Sequence, residues 1–171
     1  SASSFASCRA RPCSSSSARA QPGRRSPLAQ RGTQRPGGRP TTLNGATVKP
    51  RACRALRGAT LATTSPHAFS ETEGAAFLRL VASVAPDARQ GPVYGGDCYN
   101  YALLASGHVD IVVEAGLKLH DFAALVPVVE GAGGLMCDWS GQPLNADSKG
   151  DIIALGDPAR LDDVIEQLAG A

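Results

Sequence analysis

The sequence predicts an α/β layered domain behind an unstructured tail. After residue 90, short β-favouring runs alternate with segments whose apolar residues recur at helical spacing, and that alternation favours helices layered on a sheet. The chain has 171 residues, 43% of them hydrophobic, enough for one modest core. Charge is unevenly distributed. Residues 1–70 hold 12 of the 17 Lys and Arg and none of the 15 Asp and Glu; the remainder carries 5 basic against 15 acidic residues, although the net charge is only +2. Such a split marks a basic tail or a targeting segment, and it excludes a uniformly basic nucleic-acid-binding domain. No apolar run is long enough to predict a transmembrane helix.

Residues 1–37 contain nine Ser and seven Arg, no acid and almost no large apolar side chain. Such a segment cannot bury enough surface to offset the entropy of ordering it, so it is expected to be disordered. A Ser-rich, Arg-rich, acid-free composition is that of an organelle transit peptide, and the expected destination is the chloroplast. An apolar segment of the secretory kind is missing. A nucleic-acid-binding arm would interleave aromatics for base stacking, but Phe5 stands alone. The domain is therefore expected over 38–171.

Within it, Asn44-Gly45 between β-favouring residues predicts a tight hairpin. Residues 59–64 (ATLATT) predict a strand. Ser70 and Glu73 form a capping box ahead of a helix over about 71–85, with Phe77, Leu80, Val81 and Val84 on one face and Pro86 beyond. Val93-Tyr94 predicts a short strand running into Gly95-Gly96. A helix is expected over 97–106, stopped by Gly107, then a strand over 109–114. A second helix is expected over about 121–131, with Pro127 tolerated as a kink and the stop at Gly133-Gly134. Leu135–Trp139 and 151–155 predict strands, the first leading into a Ser140-Gly141 turn. Asp157-Pro158 opens a last helix with Leu161, Val164, Ile165 and Leu168 on one face. The five cysteines, Cys8, Cys13, Cys53, Cys98 and Cys137, are odd in number and widely spaced, with no CxxC, and are expected to be reduced thiols.

Two clusters could carry chemistry. In GGDCYNYALLASG, residues 95–107, glycines at a strand–helix junction let a ligand approach the backbone, and helix-start amides suit an anion. A tight turn with Asp97 as an N-cap explains the same residues. In VDIVVEAGLKLHDFAALVPVVEGAGG, residues 109–134, Glu114 ends a buried-looking strand and Asp121 opens the next helix. Carboxylates at that edge of an α/β sheet could hold Mg²⁺ and a polyol or amine substrate; both could instead merely cap their elements. No HxxxH, HExxH, GxSxG, Walker A or GxGxxG pattern occurs, so zinc hydrolase, serine hydrolase and dinucleotide-binding readings are unsupported.

The run LKLHDFAALVPVVEGAGGLMCDWSGQPL resembles the second signature of the inositol monophosphatase superfamily. GGDCYNYALLASGHVDIVVEAG, and upstream TTLNGATVKPRACRALRGATLATTSPHAF, resemble its histidinol-phosphatase branch, so that the likeness runs over about 38–171. The resemblance implies the C-terminal half of a layered αβαβα sugar-phosphatase-like fold and Mg²⁺-dependent hydrolysis of a small phosphate monoester. Histidinol phosphate, in histidine biosynthesis, is the implied substrate; inositol phosphate and nucleotide bisphosphates are alternatives. It also implies a homodimer where the fold is complete, with neither nucleic acid nor membrane as partner. By position Asp121 matches a metal ligand and Glu114 the carboxylate facing the substrate's non-phosphate part. Gly95, Gly96 and Asp97 match the segment lining the substrate, with Asp97 favouring a cationic amine. The sequence departs from the pattern in having Leu119-His120 before Asp121. No DPxDGT-like string, the superfamily's first metal-binding signature, occurs in it; Gly156-Asp157-Pro158 runs into Ala159. The expectation is an impaired or inactive chain, a truncated paralogue or a regulatory partner, with no residue assigned as general base.

Overall fold

The computed structural model describes residues 39–84 and 91–170; the expected transit segment and Pro86 lie outside them. The elements are β1 (Thr42–Leu43), β2 (Ala46–Thr47), β3 (Leu61–Thr63), α1 (Glu71–Val84), β4 (Val93–Tyr94) and α2 (Cys98–Ala105). They continue with β5 (Ile111–Glu114), α3 (Leu119–Phe122), α4 (Leu125–Ala132), β6 (Leu135–Asp138), β7 (Ile152–Leu155) and α5 (Leu161–Ala169). Strands β1 and β2 form the hairpin, with φ of 51° at Asn44 and 83° at Gly45, both values that the primed turn demands.

The other strands form one five-stranded sheet in the order β4-β3-β5-β7-β6. β4 and β5 run parallel to β3, while β7 runs antiparallel to both β5 and β6. Side-chain alternation sorts the sheet's two faces. Leu61, Ile111, Val113, Ile153 and Leu155 pack with Phe77, Leu80 and Val84 of α1 and Leu161, Val164 and Leu168 of α5. Ala62, Val112, Met136, Ile152 and Ala154 pack with Tyr101 and Leu104 of α2, Phe122 of α3 and Val129 of α4. Fully burying one such leucine or phenylalanine contributes about 1.5–3 kcal/mol. These three layers, helix, sheet and helix, are one side of the expected αβαβα stack.

Local signals explain the boundaries. The Ser70 amide donates to Glu73 Oε2 at 2.7 Å and the Glu73 amide to Ser70 Oγ at 3.4 Å, closing the capping box of α1. Asp157 Oδ1 accepts from the Ala159 amide and opens a 3-10 turn, Pro158–Arg160, ahead of α5. Asp138 Oδ1 accepts from the amides of Ser140 and Gln142, so β6 ends one residue before Trp139. Arg51 is anchored in the fold: its guanidinium binds both oxygens of buried Asp110, which also accepts from the Thr60 amide at 2.7 Å. Cys53, Cys98 and Cys137 are free thiols; Cys8 and Cys13 lie outside the described residues.

One expectation is corrected. The helix expected over 121–131 is two helices, Leu119–Phe122 and Leu125–Ala132. The break puts Pro127 in the first turn of α4, where its missing N–H has no intrahelical acceptor to serve, so no kink is needed. Gly133, at φ 103°, ends α4 in the left-handed conformation.

Candidate functional site

The strand directions bring the C-terminal ends of β3, β4, β5 and β6 to one edge of the sheet, because Glu114 and Asp138 both lie opposite Ile152, the first residue of β7. Such an edge is where α/β sheets bind ligands. Residues 63–64, 95–97, 114 and 138 thus gather there.

Glu114 is the last residue of β5, 3% exposed, and in the alternation it shares the α2-facing side with Val112. Its Oε1 accepts from the Thr64 amide at 2.8 Å and from Thr64 Oγ1 at 2.7 Å, and Oε2 accepts from Thr63 Oγ1 at 3.2 Å. Burial pushes this carboxyl above the usual glutamate range; the threonine hydrogen bonds pull it back, and the Asp97 charge adds to the rise. Its backbone carbonyl accepts from Trp139 Nε1 at 3.1 Å.

Thr64 ties Glu114 to the glycine loop. Its carbonyl accepts from the Gly95 amide at 2.8 Å, so the ends of β4 and β5 are held to the same residue. Gly95 and Gly96 adopt φ of 84° and 98°. A side chain at Gly96 would put its Cβ 2.6 Å from Asn100 Oδ1. That asparagine is buried, and its Nδ2 donates to the Gly95 carbonyl at 2.8 Å, stapling the loop onto α2. Asp97 is the exposed N-cap residue of α2, but its side chain makes no capping hydrogen bond. Its φ of 42° and ψ of −126° belong to a region that favours glycine. The capping alternative for Asp97 is therefore not realised, and its carboxylate faces solvent near Glu114. The helix-start amides are partly engaged, since those of Tyr99 and Asn100 donate to the carbonyls of Gly96 and Asp97.

Asp121 does cap. Its Oδ2 accepts from the Lys118 amide at 2.7 Å, and Oδ1 lies 3.5 Å from His120 Nε2. The carboxylate is 42% exposed, which leaves Oδ1 open to a further partner. Among the described residues no three His, Cys, Asp or Glu side chains come together as a metal-binding group. One oxygen of one aspartate does not make a Mg²⁺ site, which requires octahedral oxygen coordination. The residues present thus form a polar rim at the end of the sheet, with the Asp121 carboxylate capping the neighbouring helix. The supporting groups Thr63, Thr64 and Asn100 carry no motif of their own. Only the position of the Thr63-Thr64 pair, closing a strand run that proves parallel to β5, could have pointed to them.

Residues 25–169 match the inositol monophosphatase family. Among curated proteins, the chain is 54% identical over 105 residues to the chloroplastic bifunctional phosphatase IMPL2 of Arabidopsis thaliana, covering 61% of this chain and 29% of that protein. It is 39% identical over 59 residues to a histidinol-phosphatase of Chlorobaculum parvum, covering 34% of this chain and 23% of that protein. An inositol monophosphatase from Zymomonas mobilis superposes with a TM-score of 0.73 at 45% identity, over 77% of this chain and 50% of that one. One from Anabaena shares the fold with a TM-score of 0.67 at 23% identity, over 80% and 55% of the two chains. The chain thus spans less than a third of these curated relatives and about half of these solved structures.

Proposed function

The chain belongs to the inositol monophosphatase family, and on that premise we propose that it carries the substrate-selecting side of a Mg²⁺-dependent phosphate monoesterase acting on histidinol phosphate. The observation that supports this reading most is the pairing of Asp97 with Glu114. The Asp97 charge bears on Glu114 at the end of the sheet, and Asp97 is held in a strained conformation with its side chain uncommitted to capping. Strain kept at a ligand-binding edge points to a binding role. A cationic amine complements such a pair, whereas a neutral polyol gains less from it. The glycine loop 95–96 lets the substrate lie close to the backbone. The relative named as a histidinol-phosphatase supports the same substrate class.

Asp121 is the proposed Mg²⁺ ligand, through Oδ1. When bound, the ion would supply positive charge to the phosphate oxygens. The other ligands and the base that activates water belong to a first signature that this sequence does not contain. We therefore assign this polypeptide, by itself, little or no turnover. The second reading is a regulatory partner or non-catalytic paralogue. A plastid destination is proposed from the composition of residues 1–37, and the chloroplastic relative supports it.

Phosphate release from histidinol phosphate, inositol monophosphate and a nucleotide bisphosphate, each with Mg²⁺, tests the proposal. Any release is expected to be slow, greatest for histidinol phosphate, and abolished in Asp121→Ala. Release unchanged in that variant removes Asp121 from the metal site, and a preference for the inositol ester removes the amine reading.

A further inference from the structure

Tyr101 lies one helical turn beyond Asp97 on α2, is 2% exposed, and has a hydroxyl with no hydrogen-bond partner among the described residues. Its ring belongs to the cluster that contains Phe122, the neighbour of Asp121, and Ile152, which pairs with Glu114. A buried hydroxyl without a partner is unfavourable and calls for an explanation. The surroundings offer one. Burial, with the charges of Glu114 and Asp121 added, holds the phenol far above the usual tyrosine range, so it is a hydrogen-bond donor at any ordinary pH. An ionised carboxylate can accept about four hydrogen bonds, and among the described residues Glu114 has two at Oε1 and one, from Thr63, at Oε2. One unused donor and one unused acceptor site thus face the same side of the sheet.

We infer that Tyr101 is a positioning residue of this site, its hydroxyl donating through one internal water to Glu114 Oε2 and so linking α2 to the end of β5. An internal water bridges buried polar groups that have no direct partner. The link would fix the height of the Glu114 carboxylate relative to Asp97, which lies on the same helix start. The inference rests on the reading of Glu114 as a substrate-facing carboxylate, but its test needs no substrate, so failure of one is distinguishable from failure of the other.

The test is a pH titration of the ¹³C-labelled chain by NMR, following Glu114 Cδ and Tyr101 Cζ. Thr63, Thr64 and Asp97 also face Glu114, so the titration is repeated in Asp97→Asn to separate that neighbour. The two signals are expected to share one midpoint, because the group accepting from the tyrosine changes from carboxylate to carboxylic acid. In Tyr101→Phe the Glu114 midpoint should rise, by up to about one unit, because a donor to the charged form is lost. A purely structural tyrosine would not move that midpoint. A Tyr101 signal that stays flat through the Glu114 titration overturns the inference, as does an unmoved midpoint in the folded phenylalanine variant. The first of these readings needs no variant, so it stands even if Tyr101→Phe does not fold.

Discussion

Asp97 and Glu114 are held against their own preferences. Asp97 occupies a backbone region that favours glycine, a strain of about 1–3 kcal/mol. Asp97→Gly should therefore raise stability by about 1 kcal/mol in urea denaturation, while Asp97→Asn, which keeps a side chain, should gain less. Glu114 is held above the usual carboxyl range chiefly by burial. Its folded form binds a proton more tightly than its unfolded form does. The stability it contributes is thus fully present below the ordinary glutamate value and is lost as pH rises through the raised value. Glu114→Gln should accordingly gain stability relative to the parent at about pH 7 and lose that advantage at about pH 4, measured as the difference in denaturation midpoint. A larger gain at the lower pH would contradict the assigned direction. The sequence shows which residues these are and where they stand in the chain. It does not show the backbone angles at Asp97, nor the threonine shell of Glu114, which comes from residues about 50 positions away that meet it only in the folded sheet.

Among the elements, the strand–glycine–helix junction of β4 and α2 is tightly constrained. Gly96 combines a φ of 98° with a Cβ position 2.6 Å from Asn100 Oδ1. Gly96→Ala should cost about 2 kcal/mol or more. Part of that loss should disappear in an Asn100→Ala background, and the difference is measured by a double-mutant cycle. Phe122 closes α3 and is buried in the cluster with Tyr101 and Val129. Phe122→Ala should lower stability by about 3–5 kcal/mol, read from chemical denaturation. Most elements were legible at this scale. The Ser70–Glu73 capping box, the Asn-Gly hairpin and the alternating strands are local devices, and each lies within a residue or two of where the pattern predicts it. The single helix expected over 121–131 failed for a local reason as well. Its apolar spacing is continuous, but Asp121 caps a turn that starts at Leu119, and the chain restarts so that Pro127 falls in a first turn. Periodicity alone does not register such a restart.

Over the whole molecule, the layering was legible and the strand order was not. Alternating helices and strands imply layers, whereas placing β7 between β5 and β6, antiparallel to both, depends on pairings between distant segments. That placement matters, because it turns the ends of β5 and β6 to the edge where the glycine loop lies. The charge split was a reliable guide only in part: Arg51, within the basic stretch, is pinned to Asp110 and belongs to the fold. The central claim is that Asp97 and Glu114 make this edge selective for a phosphate ester bearing an amine. Calorimetric binding of histidinol phosphate and of inositol monophosphate, each with Mg²⁺, to the chain and to Asp97→Asn tests it most directly. The account predicts tighter binding of histidinol phosphate, by about tenfold for each 1.4 kcal/mol of added attraction, with the preference lost in Asp97→Asn. Equal binding of the two esters, or a preference that survives the substitution, would contradict it.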